Sequence, residues 1–462
     1  MTDTTDGASA PKAAAQRVAV SDLYRAVWRW HFFAGLLILP FIITLAVSGG
    51  IYLFREELDK IVHADFIQVN PVDEQRLAPS EIIDRALKAQ PGTVVKYTTP
   101  SAEDLSTEVT VQPETGGRMA VYVNQYTGDI LEVRADRSTF AWTVRYLHSF
   151  RYFGSGPRKI IEIVGGWAIL MVATGIYLWW PRGQRGGVIS VRGTPGRRVF
   201  WRDVHAVTGL VTGAFIVFLA VTGMPWSSVW GAQVNEWANG SNFGYPSGVR
   251  VEVPMSKDRL TDTAKTSWSL EQAQIPRTDG PPVAGAQSIG LDSAVQEFQS
   301  MGLANGFSVA LPQSPTGVFS GSVYPDDLSR QRVVHLDQYS GQLLVDMSYE
   351  DYGPLGRWLE FGINTHMGQT FGLLNQIVLL IVCVGIILLA VSAAIMWWKR
   401  RPSGRFGVPP LPSDRKVFVG LLVLLGIGGI IFPLTGLTLL VMIALDLGWQ
   451  WARRSRRGRQ PS

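Results

Sequence analysis

Four long apolar runs divide this chain, at about 32–54, 160–180, 206–224 and 373–398, with Glu162 the one charged residue inside them. Each is close to the roughly 20 apolar residues a helix needs to cross a bilayer. Aromatic and basic residues close two of them, Trp179-Trp180-Pro181-Arg182 and Trp397-Trp398-Lys399-Arg400, and Pro225-Trp226 closes a third. Tryptophan followed by arginine or lysine is the usual exit from the membrane interface. A further apolar stretch, 417–447, is interrupted by Gly428-Gly429 and Pro433. It is too short for two full spans, which need about 40 residues, and predicts a short helical hairpin or a broken span.

The intervening polar segments carry a different periodicity. Val121-Tyr122-Val123 reads as a strand, Tyr126-Thr127-Gly128-Asp129 as a turn, and Ile130-Leu131-Glu132-Val133 as the returning strand. Residues 79–90 have helical spacing and open on Pro79-Ser80. The turn recurs, because 336–344 (LDQYSGQLL) matches 123–131 (VNQYTGDIL). The fold class expected is an α-helical integral membrane protein carrying two small α+β domains.

The repetition extends to the spans. With His31 aligned on His205, Gly35 meets Gly209, Leu36 meets Leu210, Phe41-Ile42 meets Phe215-Ile216, and Leu45–Gly49 meets Leu219–Gly223 without a gap. His148 precedes Trp179 by 31 residues and His366 precedes Trp397 by 31. The chain therefore reads as a tandem repeat of span, polar domain, histidine and span, both halves starting on the same side.

Charge sets the expected orientation. Residues 181–203 hold six Arg and one Asp, whereas 55–147 hold 15 acidic against 10 basic residues and 226–365 hold 15 against 8. Basic loops stay in the cytoplasm, which puts both acidic domains in a periplasm. The expected organisation is a disordered cytoplasmic tail (1–24), a first span (25–54), a first periplasmic domain (55–147) and a second span with its preceding histidine (148–181). A basic loop (182–203), a third span (204–225), a second periplasmic domain (226–365) and a fourth span with its histidine (366–398) follow. A basic loop (399–416), the hairpin (417–447) and a basic tail (448–462) complete it. The first 20 residues lack an apolar core and do not read as a cleavable signal peptide.

Only one cysteine, Cys383, is present, inside an apolar run. It excludes an intrachain disulfide or thiolate cluster and reads as a small buried hydrophobe. The histidines carry more. Four of six occupy matching places: His31 and His205 where spans one and three enter, His148 and His366 before spans two and four. Ionisable side chains at such depths are costly and usually functional. One imidazole from each half at each membrane face suits the two axial positions of a haem iron. The expected pairs are His31 with His205 and His148 with His366, holding two haems. Gly35 and Gly209, one turn further on, would admit a porphyrin edge. Arg29, Arg202, Arg145 and Arg151 are candidate propionate partners. A zinc site competes less well, because zinc normally gathers three or four ligands. A lone histidine at a helix start is more often an interfacial hydrogen-bonder. His63 and His335 lack counterparts and are expected on the surface or in local hydrogen bonds. No dinucleotide fingerprint, P-loop or cysteine-based haem motif is present.

The opening Trp-Arg-Trp-His-Phe-Phe-Ala-Gly-Leu and the exit Leu-Ala-Val-Ser-Gly-Gly-Ile-Tyr-Leu-Phe-Arg-Glu-Glu resemble the PepSY-associated transmembrane helix family. So do the Tyr-Thr-Gly-Asp turn, Arg-Tyr-Leu-His-Ser, Trp-Trp-Pro-Arg and the Phe-Pro-Leu-Thr-Gly-Leu-Thr-Leu-Leu tail. The resemblance covers roughly residues 20–447. It implies an iron-regulated inner-membrane protein of Gram-negative bacteria with PepSY-like periplasmic domains. Some members of that family are di-haem b-type reductases that release iron from ferric siderophores. By position, the resemblance makes His31, His205, His148 and His366 the haem ligands. The expected cofactor is haem b, two per chain. The expected partners are membrane lipid, a ferric siderophore or chelate, and a quinol or cytoplasmic reductase as electron donor; nucleic acid is not one. The alternative is a non-redox accessory protein whose PepSY-like domains bind a protease or a transporter.

Overall fold

The computed structural model describes residues 10–72, 75–154, 156–181, 187–238, 243–245, 255–259, 274–283, 285–403, 407–409 and 414–457. Residues 1–9, Arg182 and the last residues of the basic tail lie outside that set. In chain order the helices are α1 (Ala10–Tyr52), α2 (Arg55–Val62), α3 (Ala64–Ile67), α4 (Pro79–Ala89), α5 (Phe140–His148), α6 (Lys159–Trp179) and α7 (Arg198–Gly223). They continue with α8 (Val229–Ala238), α9 (Gly290–Ser300), α10 (Pro354–His366), α11 (Gly372–Arg400), α12 (Arg415–Ile431) and α13 (Pro433–Arg457). The chain divides into two compact units. One is Met1–Gly50, His148–Gly231 and Val378–Ser462; the other is Ile51–Leu147 and Ala232–Ile377.

The first unit is helical. Four helices are long and apolar enough to cross a membrane: Asp22–Tyr52, Lys159–Trp179, Arg198–Trp226 and Gly372–Arg400. Their facing sides bury Trp30, Ala34 and Ile38 of α1, Trp167 of α6, Ile216 of α7, and Val382, Cys383 and Ile386 of α11. Leucine and isoleucine side chains on the other faces are exposed, as lipid contact requires. Residues 10–24, expected as a disordered tail, are helical and continuous with the first span. A helix already nucleated by a long apolar segment extends at little cost per residue.

The C-terminal segment folds as two helices, α12 and α13, that turn at Phe432. Gly429 and Gly436 touch there with no room for a Cβ on either. The far ends return to one place: the Asp414 N–H donates to Asp22 at 2.8 Å, and Arg29 pairs with Asp446 at 2.5 Å. The legs are therefore antiparallel, a hairpin. It lies against α6, where the Trp167 Nε1–H donates to Thr438 at 2.9 Å.

The second unit is an antiparallel sheet with helices. Its strands are β1 (Thr93–Thr98), β2 (Thr107–Gln112), β3 (Met119–Val123), β4 (Ile130–Ala135), β5 (Met255–Arg259), β6 (Gln274–Pro276), β7 (Ser308–Ala310), β8 (Val318–Val323), β9 (Arg332–Asp337) and β10 (Leu343–Ser348). β5 and β6 form a separate ribbon. The others form one sheet in the order β10-β9-β8-β7-β1-β2-β3-β4. At its seam Lys96 faces Ala310, Tyr97 faces Val309 and Thr98 faces Ser308. Two separate small domains were expected, and the structure corrects this to one eight-stranded body. β1 and β7 each present an unpaired edge, and joining them satisfies both rows of backbone groups. Helices α4 and α9 cover one face, burying Ile82, Ala86, Ala294 and Phe298 against Val109, Val121, Val309 and Val334.

The repeated turn motif is explained residue by residue. Asn124 and Asp337 side chains accept from the Tyr126 and Tyr339 N–H groups, both at 2.9 Å. Gly128 (φ +76°) and Gly341 (φ +71°) take the left-handed position that closes each turn. The tyrosine hydroxyls then donate to the Glu103 and Pro315 carbonyls, pinning a neighbouring loop.

Candidate functional site

Three helices of the first unit meet around His31. Its Nδ1 lies 2.9 Å from Thr174 Oγ1 on α6, and Gly175 faces its Cε1, where a Cβ would stand 3.4 Å away. His205 of α7 has its Nδ1 3.0 Å from the Leu389 carbonyl and 3.2 Å from Ser392 Oγ on α11. The two rings lie edge-on to each other, centroids 6.4 Å apart and planes at 89°. The structure thus brings together the first expected histidine pair. Neither Nε2 has a hydrogen-bond partner among the described residues.

These residues fit the axial ligands of one haem. Imidazoles on opposite sides of a metal ion have centroids about 6 Å apart, from metal–nitrogen bonds of about 2 Å plus the ring radii. A ligating histidine normally donates its other ring N–H to a carbonyl or similar acceptor, and both Nδ1 atoms sit on such acceptors. Among the described residues no group of three or more His, Cys, Asp and Glu gathers as a metal site. A haem supplies its own four nitrogens, so two histidines suffice.

A Cβ at Gly35 would lie 3.2 Å from Met171 of α6 and one at Gly209 3.5 Å from Leu389 of α11, so each glycine faces a neighbouring helix. His148 ends α5 and its Nδ1 lies 3.0 Å from Ser48 Oγ on α1. Gly49 leaves room for that ring, since a Cβ there would stand 3.2 Å from His148 Cε1. The chain then breaks at Phe150 (φ +51°) before α6 begins. His366 ends α10 in the other unit, with Gly368 and Gly372 at positive φ behind it.

The family description "PepSY-associated TM region" matches residues 28–400. The chain belongs to this family. No curated protein matches it. The PepSY-associated region takes in the four spans and both sets of sheet strands, and it ends at the last residue of α11, before the hairpin.

The four arginines fare differently. Arg29 is buried and held by Asp446 and the Pro409 carbonyl, so it clamps the hairpin. Arg202 pairs with Asp203, which is fully buried and also holds Arg192. Arg145 lies over the Trp142 ring at 4.8 Å, and Arg151 opens a short 3-10 turn after His148. His63 accepts from the Phe140 N–H at 3.0 Å, a bond that ties the start of α5 to a residue far back in the chain rather than a local one. His335 is not on the surface: it is buried on β9 with Ser320 at 2.8 Å. The partners missed from sequence are Thr174, Leu389 and Ser392. The only signal was a hydroxyl residue inside each apolar run, which is common in spans for other reasons.

Proposed function

We propose that this integral membrane protein is a haem b-dependent reductase of the bacterial inner membrane. It passes electrons across the bilayer to a ferric siderophore or similar ferric chelate in the periplasm. The observation that carries this reading is the His31–His205 pair, with each Nδ1 engaged and each Nε2 open. Bound there, haem supplies one-electron transfer. The chain's part is to hold the two imidazoles in place and to surround them with apolar helix faces. A second haem on His148 and His366 rests on the repeated 31-residue spacing in the sequence. The acidic sheet unit is read as periplasmic from the charge of the basic loops. Reduction of the iron weakens its hold on hard oxygen ligands and frees it. A quinol or a cytoplasmic reductase supplies the electrons.

The test is an absorption spectrum of the detergent-purified protein, oxidised and dithionite-reduced, with pyridine-haemochrome quantitation. Low-spin b-type bands with about two haems per chain are expected. A protein without a Soret band overturns the reading and favours the accessory role, with the sheet unit binding a protein partner.

A further inference from the structure

The side-chain hydroxyls beside the two histidines are already used as donors. Thr174 Oγ1 donates its single hydrogen to the Leu170 carbonyl at 2.9 Å, one turn back on its own helix. The Met171 carbonyl, at 3.2 Å, is a second acceptor for the same hydrogen; with it on either carbonyl the hydroxyl accepts, and His31 Nδ1 carries the proton. On the other side Ser392 Oγ donates to the Leu389 carbonyl at 2.9 Å. That carbonyl, which only accepts, also stands 3.0 Å from His205 Nδ1. His205 Nδ1 is therefore a donor whatever the serine does.

We propose that Thr174, and the Leu389 carbonyl with Ser392, are positioning groups that fix both imidazoles in the Nδ1–H tautomer, and that they do so unequally. His205 is held by a backbone acceptor that no substitution removes, with Ser392 as a secondary contact. His31 depends on one hydroxyl. The lone pair each ring presents for a metal is on Nε2 in both cases. A carbonyl is a stronger acceptor than a hydroxyl, so it draws more electron density onto its ring. His205 is thus the more basic ligand of the pair.

The inference rests on the haem reading for its purpose but not for its geometry, and two measurements separate the two. The first is 15N NMR of the full-length protein in detergent, labelled at histidine and read after dithionite reduction. Nδ1–H signals for both His31 and His205 are expected, and an Nε2–H signal from either ring overturns the assignment. If no haem is present, the haem reading falls and the tautomers are still read. The second is transfer of haem to excess apomyoglobin. Thr174→Val is expected to weaken retention at the His31–His205 site by about 10–100-fold, Thr174→Ser to restore it, and Ser392→Ala to change it by less than about threefold. Equal retention in Thr174→Val, or failure of Thr174→Ser to restore it, overturns the role of Thr174. Thermal midpoints of the variants within a few degrees of the parent separate positioning from misfolding.

Discussion

The His31 and His205 rings stand edge-on, with centroids 6.4 Å apart and planes nearly perpendicular, at 89°. If a haem is held between them as proposed, imidazoles kept at this angle would leave two iron d orbitals nearly equal in energy. The ferric protein should therefore give a strongly anisotropic low-spin signal in low-temperature electron paramagnetic resonance. A nearly rhombic signal of ordinary spread from this site would show that the rings turn on binding. On the proposed haem reading, His31→Ala and His205→Ala should each abolish the low-spin signal of this site.

His148 lies apart from that pair, against Ser48 and Gly49 of α1. On the proposed reductase reading, replacing it with alanine should abolish reduction of an added ferric chelate, while any haem bands that belong to the His31–His205 site remain. An unchanged reduction rate in His148→Ala, measured with a ferrous-iron trap, would count against electron transfer through this end of the protein.

Arg29 and Asp446 form a nearly buried ion pair, with side chains 6% and 12% exposed. Removing one partner of such a pair leaves an uncompensated charge and typically costs about 3–5 kcal/mol. Asp446→Ala should lower the thermal midpoint and open the hairpin to trypsin near its basic end. The double change Arg29→Met with Asp446→Leu should recover most of the loss, because it removes both charges together. Recovery no better than in Asp446→Ala would mean that the pair acts through something other than its charge.

Burial pushes His335 down to about 4 from its ordinary 6.5. The unfolded chain takes up this proton near pH 6.5 and the folded sheet only near pH 4. Stability from the neutral ring is complete above about pH 6.5 and is lost as pH falls toward 4, on the order of 3 kcal/mol in all. Thermal unfolding of the full protein should show this acid slope, and His335→Gln should flatten it. An equal slope in the variant would assign the pH dependence to other groups.

Gly321 of β8 lies under Phe298, whose ring would stand 2.7 Å from a Cβ placed there. Phe298 is fully buried and has nowhere to move. Gly321→Ala should destabilise the sheet unit by about 1–3 kcal/mol, and Phe298→Leu in the same chain should relieve part of it. Chemical denaturation followed by circular dichroism in the strand region measures both.

Much of this architecture is legible along the chain. The spans, the His31–His205 pair and the Asn/Asp-Gln-Tyr-Thr/Ser-Gly turns are local patterns, and each lies where its periodicity or spacing indicates. What was not legible is the set of contacts made at long range. Nothing near Tyr97 announces Val309, because an edge strand looks the same whether it meets water or another edge. Arg29 reads as an interface cation until Asp446 is folded back onto it. Thr174 and Ser392 look like ordinary small polar residues in apolar helices, and only the neighbouring ring nitrogens give them a role.

The seam between β1 and β7 has a consequence for synthesis. The ribosome makes β1 long before β7, and two further membrane helices must be inserted between them. Until the later strands emerge, the first four have an open edge and half a hydrophobic cover, a state prone to pairing with the wrong neighbour. A gene fragment encoding only the first half should therefore yield a product that waits, aggregates or is degraded, rather than a smaller working protein. Both halves supplied on separate plasmids should rescue each other only if they reach the same side of the membrane while the first is still unzipped.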